Sequence, residues 1–334
     1  MYKKLVNILS IALIYCGAVF GAGFASGREI FTFFSRYKSA GIMSAIIVGF
    51  LFSFFGFIVL KHSKDKNLQN TEEYLKELFP DALAKFFGII TNSFLVLSFC
   101  IMITGCGALF FEQFGIMPAV GSLLSLTISF ITIKNDVSGL KYFNLVATPI
   151  MIVGVIALCV FSADMPKIRM EYNLPAGIYG LLYISYNMVS AVAVLVSISK
   201  MAKNAREAAM GGIAGGIMIA VPLVLMTAVL SLYPELDNMP LPFFSLVSGA
   251  YPKLSIICAI ILYFAMMTTA VSSGVSVLSG VSSKKSSKYA YSLCILAFIM
   301  SFIPFQTLVQ TVYSAFGFIG IALIIGISIK ILRK

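Results

Sequence analysis

The sequence is short of the groups that carry out covalent chemistry. It has one histidine, His62, at the end of an apolar run, and its charged residues make up only 11% of 334 residues. No two carboxylates stand together inside an apolar run. An enzyme embedded in a bilayer needs paired carboxylates, a histidine cluster or an activated nucleophile, so that class is set aside. The six cysteines, Cys16, Cys100, Cys106, Cys159, Cys258 and Cys294, all lie in apolar runs, and none forms a C-x-x-C pair. This spacing indicates neither a disulfide framework nor a zinc site; no organic cofactor is expected, and the thiols read as small buried apolar groups. A soluble domain is missing as well, because the longest polar interval, about residues 61 to 82, is too short to hold a core of its own.

What is present is hydrophobic. With 60% apolar residues, the chain reads as one all-α, polytopic membrane domain over 1–334. Its net charge of +11 is no nucleic-acid footprint, since the lysines and arginines fall between apolar runs, in gaps that alternate between rich and poor. At about 20 residues per span, the runs read as ten spans, roughly 5–36, 40–61, 84–113, 117–134, 142–163, 174–201, 206–232, 255–281, 288–304 and 306–331. The basic residues favour one set of gaps by roughly three to one, which puts both termini on the cytoplasmic side of the cell membrane. A long, Gly-interrupted span opens each half, at 5–36 and again at 174–201, and four spans follow each. Five is odd, so the second set enters from the opposite side; this predicts a 5+5 inverted repeat, about 5–163 and 174–331.

Two pieces read as non-spanning. Thr71 to Lys85 is expected to be a surface helix capped by Thr71, and Pro240 to Pro252 an apolar loop folded into the external mouth.

Three stretches point to a polar site within the membrane. Tyr15 to Ile30 carries Gly17, Gly21, Gly23 and Gly27, where an ordinary spanning helix has Leu or Ile. Glycine eases departure from helical geometry and lets a ligand approach the backbone; the same glycines would equally serve as a packing surface between helices. The second stretch, Gly177 to Ser190, holds Asn187 amid Tyr183, Ser185 and Tyr186. An amide there is costly against lipid and reasonable against a polar site or a neighbouring helix. In the third, Met267 to Gly274, Thr269, Ser272 and Ser273 share one helical face. They suit a hard cation, or bond back to the preceding turn.

The G-A-G-F-A-S-G-R-E run from Gly21 to Glu29 resembles the signature of the YkvI-like bacterial membrane proteins, a branch similar to the amino acid-polyamine-organocation superfamily with the leucine-transporter fold. The resemblance covers essentially the whole chain. It implies a secondary transporter of a small zwitterion, most readily an amino acid, working by alternating access, with spans 1 and 6 unwound near Phe20 to Phe24 and Ser185 to Asn187. An unbroken helix through either region would sink the transporter reading.

The resemblance further implies one sodium ion, held by the carbonyls of Gly17, Phe20 and Thr269 and the hydroxyls of Ser272 and Ser273. Phe24 stands where a second sodium site would need a polar residue. The substrate is expected against Val19, Gly21, Ala22 and Gly23, its carboxylate meeting the N–H groups where a half-helix begins at Phe24. Its amino group would meet carbonyls near Ser185, with Phe24, Tyr183, Tyr186 and Asn187 shaping the pocket. The fifth span, 142–163, has no charged side chain to replace sodium. Glu29, the one carboxylate deep in a broken span, is the proton-relay candidate for the rival reading, a proton-coupled or uncoupled exchanger of amino acids or amines. A third reading, a transport-dead sensor, keeps the same site without flux.

Overall fold

The computed structural model describes residues 2–68, 70–134, 149, 152–157, 159, 173–279 and 283–332. The span expected at 142–163 therefore lies largely outside the described residues. Those described form helices joined by short turns: α1 Tyr2–Val19, α2 Ala22–Ala25, α3 Arg28–Phe33, α4 Lys38–Asp65, α5 Thr71–Leu78, α6 Asp81–Phe114, α7 Pro118–Lys134, α8 Leu174–Ile198, α9 Ala205–Leu230, α10 Pro242–Ala250, α11 Pro252–Ser279, α12 Ser283–Met300, α13 Phe305–Leu308 and α14 Ser314–Leu332, with a π turn, Val309–Tyr313, between the last two. Among the described residues, six helical stretches are long and apolar enough to cross a membrane, and Leu5–Val19, Pro118–Ile133 and Ser287–Met300 are shorter apolar helices. Helix is what hydrocarbon demands, because each backbone N–H and C=O must find its partner within the segment. The hydroxyls follow suit: Thr91, Thr104 and Thr227 each donate to the carbonyl four residues back.

Glycine lets the helices approach. Between α4 and α9, a Cβ on Gly56 would meet the Gly212 backbone, one on Gly216 the Ser53 backbone and one on Gly49 the Ala220 side chain. Gly211 and Gly215 receive Ile11 and Tyr15 of α1 in the same way. Lipid is as apolar as leucine, so close backbone approach is what holds such helices together. Tyr15 adds a hydrogen bond from its hydroxyl to the Phe52 carbonyl of α4, 2.9 Å away. The helix α8 meets α4 through Gly180 and Ser44, and α14 through Gly317 and Gly320. A second group packs α6 with α7, α11 and α12, and it is this group, through α11 and α6, that the short piece α2 touches, whereas α1 packs mainly on α9. The interrupted first span thus bridges both groups.

The segment expected to be an apolar loop, 240–252, is largely the helix α10, with Phe243, Phe244, Leu246 and Val247 buried. The surface helix α5 is capped by Asn70, not Thr71, since Asn70 accepts from the Glu73 N–H at 2.9 Å and donates back to the Glu73 carboxylate at 2.9 Å. That reciprocal pair satisfies two polar groups where a threonine one position later satisfies neither. Tyr74, Leu75 and Leu78 anchor α5 in the core.

Candidate functional site

The first span breaks twice. Phe20 N–H still donates to the Cys16 carbonyl at 2.8 Å, but Gly21 N–H turns to the Val19 carbonyl, 2.9 Å away and only two residues back. The Gly17 carbonyl thereby loses its helical donor. After the single turn of α2, Gly27 takes φ 79°, a left-handed conformation that costs a residue with a Cβ about 1–2 kcal/mol. Phe243 of α10 seals this second break by donating its N–H to the Ser26 carbonyl at 2.8 Å, and it packs where a Cβ on Gly27 would lie.

Four glycines thus serve different ends. Gly17 and Gly21 frame the first break, Gly27 makes the left-handed turn, and Gly23 makes room: a Cβ there would overlap the Glu29 carboxylate. Glu29 is 4% exposed, and its Oε2 accepts a hydrogen bond from the Tyr186 hydroxyl at 2.6 Å. Its chain neighbour Arg28 turns elsewhere, to the Asp237 carboxylate at 3.0 Å and to the carbonyls of Asp237 and Met239 at 2.7 and 3.2 Å. Glu29 is therefore inside the protein rather than in an external vestibule beside Arg28.

The second expected break is absent. The helix α8 runs unbroken from Leu174 to Ile198, through Ser185 to Asn187. After Gly180 this helix contains neither glycine nor proline, and the side chains of Ser185 and Asn187 bond within it. Ser185 Oγ donates to the Leu181 carbonyl at 2.6 Å, and Asn187 Nδ2 to the Tyr183 carbonyl at 2.9 Å. The Ser185 carbonyl, expected to face a ligand, is covered by Gly320 of α14. The site is consequently built on one broken helix facing one continuous helix.

What α8 does contribute is a face of rings. Tyr183 and Tyr186 meet edge to face with centroids 5.4 Å apart, and Phe33 of α3 lies 5.5 Å from the Tyr186 ring. Tyr313 stacks on Tyr186 at 4.7 Å. Tyr313 was not singled out from sequence; it ends the π turn, and such turns often mark functional positions. The Tyr183 hydroxyl is wholly buried and has no hydrogen-bond partner.

Of the residues expected at the ion, Thr269 adjoins the substrate candidate Gly21, its methyl lying 3.8 Å from where a Cβ on Gly21 would be. The first break and α11 are thus neighbours. The Thr269 hydroxyl itself bonds back to the Ala265 carbonyl at 2.9 Å, leaving its main chain as the expected contribution. Ser273 is 5% exposed and Ser272 half-buried. Val19, Phe20 and Phe24 are buried, with the Phe20 and Phe24 rings 4.0 Å apart across the break. Ala22 begins α2.

No family model matches the chain. It is 27% identical to the membrane protein YkvI of Bacillus subtilis over 327 residues, covering 94% of this chain and 93% of that one. It is 26% identical to protein YyaD of the same organism, covering 94% of each. Among solved structures it resembles a manganese transporter of Eremococcus coleocola (TM-score 0.63, 11% identity, 97% of this chain and 78% of that one). It also resembles the inward-facing conformation of Mhp1 (0.59, 12%, 97% and 75%) and a Na+-coupled sialic acid symporter (0.57, 15%, 95% and 76%). The chain shares the leucine-transporter fold of these proteins, which are membrane transporters and not enzymes.

Proposed function

We propose that the chain is a secondary active transporter of a small solute bearing an amino group, an amino acid or an amine, working by alternating access. The observation that carries this reading is the break at Phe20 and Gly21, seated against Thr269 of α11 within a transporter fold. Backbone that leaves the helix at membrane depth is tolerated only where it is buried in protein or lines a polar cavity. With the apolar segment 142–163 as the fifth span, the helices complete a ten-span, 5+5 arrangement in the cell membrane with cytoplasmic termini. The unbroken α8 fails the condition set by the sequence for the second break and removes the backbone ligands expected near Ser185; what supports the reading is the break in the first span and the fold shared with transporters.

On this reading one sodium ion is held by the Gly17, Phe20 and Thr269 carbonyls and the hydroxyls of Ser272 and Ser273. In support, the Gly17 carbonyl is released from its helix and Ser273 is buried. The donors are neutral oxygens, which suit a hard cation held weakly enough to be released. The rival coupling ion is the proton, favoured by the burial of Glu29 with a tyrosine hydroxyl as its hydrogen-bond donor. Counterflow in proteoliposomes, with a sodium gradient set against a potassium control, tests the proposal. Sodium-dependent exchange is expected; ligand binding without flux would make the chain a sensor, and exchange driven by a pH gradient and indifferent to sodium would assign the coupling to Glu29.

A further inference from the structure

The centre of the molecule holds a buried carboxyl group that no cationic side chain pairs with among the described residues. Glu29 is 4% exposed and takes part in none of the ion pairs there. The titratable groups facing it are Tyr183 and Tyr186 from α8 and Tyr313 from the π turn. Arg28, beside it in the chain, is spent on Asp237, and so is Arg36. The helix α9 also packs on α3, but its charged residues, Arg206 and Glu207, stand at the opposite end, and α10 has none. Burying a carboxylate without a countercharge is heavily penalised. The position therefore takes up a proton or a cation from outside the fold.

The surroundings specify what kind. Tyrosine and phenylalanine rings attract an organic ammonium group through their faces, and here Tyr183, Tyr313 and Phe33 surround Tyr186, the carboxylate's hydrogen-bond donor, with centroids 4.7 to 5.5 Å from its ring. The unpartnered Tyr183 hydroxyl offers a second, neutral acceptor for an N–H. The Glu29 carboxylate lies against Gly23, beside the half-helix start expected to seat a solute carboxylate, and two carboxylates sharing a site repel.

We propose that Glu29 is the countercharge for the ammonium group of the solute, and that the solute is a primary organic amine with net positive charge rather than a zwitterionic amino acid. This rests on the transporter reading above and selects between the two solute classes it allows. With no amine bound, a proton neutralises the carboxylate, so amine and proton compete for it.

The test uses matched pairs on the purified full chain: isobutylamine against valine, and phenethylamine against phenylalanine, with thermal unfolding as the readout, since a ligand of the folded state raises its apparent stability. The amines are expected to stabilise the protein and their amino acids to do so far less. Glu29→Gln should weaken the amine response by about tenfold or more, the loss expected when a hydrogen bond to a charged group is removed. Tyr186→Phe keeps the ring and removes only the hydroxyl that orients the carboxylate; it should weaken amine binding by about threefold, and it decides the matter if Glu29→Gln does not fold. Stabilisation by the amino acids equal to or above that by the amines, amine binding unchanged in the variants that fold, or no response to any of the four compounds would each overturn the proposal. Counterflow separates the two readings. Exchange of valine without response to the amines leaves transport standing and removes the amine, whereas amine binding without exchange removes transport and leaves the site.

Discussion

Gly23 lacks a side chain because the Glu29 carboxylate lies where its Cβ would be. Gly23→Ala is therefore expected to push Glu29 off the Tyr186 hydroxyl at a stability cost of about 1–3 kcal/mol, the usual range for overpacking. Solute-dependent stabilisation should be lost with it, and thermal unfolding with and without solute reads both effects. The hydroxyls on α11 make a second case. Ser272→Ala and Ser273→Ala leave the helix intact, as alanine is the better helix former, yet each removes an oxygen from an ion site with few. Sodium-dependent stabilisation and uptake should fall together in both variants. Ser190→Ala, whose hydroxyl bonds to the Asn187 carbonyl at 3.0 Å within α8, should leave the sodium response in place. An equal loss in all three would mark the α11 hydroxyls as structural.

Among the elements, the first span and α8 show why one helix breaks and the other does not. Both carry polar residues at mid-run, but only the first carries glycines through the critical turn. In α8 the side chains of Ser185 and Asn187 each find a carbonyl one turn back, so neither pulls the helix open. Gly27→Ala tests the broken element. It forces a Cβ into a left-handed position against Phe243, and a loss of about 2 kcal/mol or more is expected in thermal unfolding. A neutral effect would mean that α3 can re-enter the helix of α2. The seam between α4 and α9 answers to size alone: Gly212→Val should cost more than a valine at Gly88, which has open space around it, because the first meets the Gly56 backbone.

For the molecule as a whole, the segment from Pro234 to Ala250 ties the two helix groups together. One end is gripped by Arg28 and Arg36, both 3.0 Å from Asp237 Oδ1; the other is held to α6 by Glu112, which accepts from Ser245 Oγ at 2.9 Å and Leu241 N–H at 3.2 Å. Movement of α3 away from α6 must break one of these sets. Asp237→Ala leaves Arg28 buried with only neutral partners, and a stability loss of about 1–3 kcal/mol is expected. A cysteine placed at Ser26, now buried beneath Phe243, should then be labelled faster by a water-soluble maleimide than in the parent. Unchanged labelling would show that Phe243 and Glu112 hold the segment without the ion pair.

The sequence by itself determined the solvent in which this chain folds, the helical class and the position of the first break, because composition, apolar run length and clustered glycines act locally. It also brought forward Glu29, Tyr183 and Tyr186, since a carboxylate, or polar side chains clustered within an apolar run, needs a reason to be there. It did not determine that α8 stays whole. Whether Ser185 unwinds a helix or bonds within it depends on what covers its carbonyl, and Gly320, far away in sequence, supplies that cover. Only the tertiary structure decided that Glu29 fills the space beside Gly23, that Tyr313 stacks on its partner, and that Arg28 belongs to Asp237 instead. These pairings join residues up to some two hundred positions apart, and pairwise electrostatics and packing at that separation leave no periodic trace along the chain.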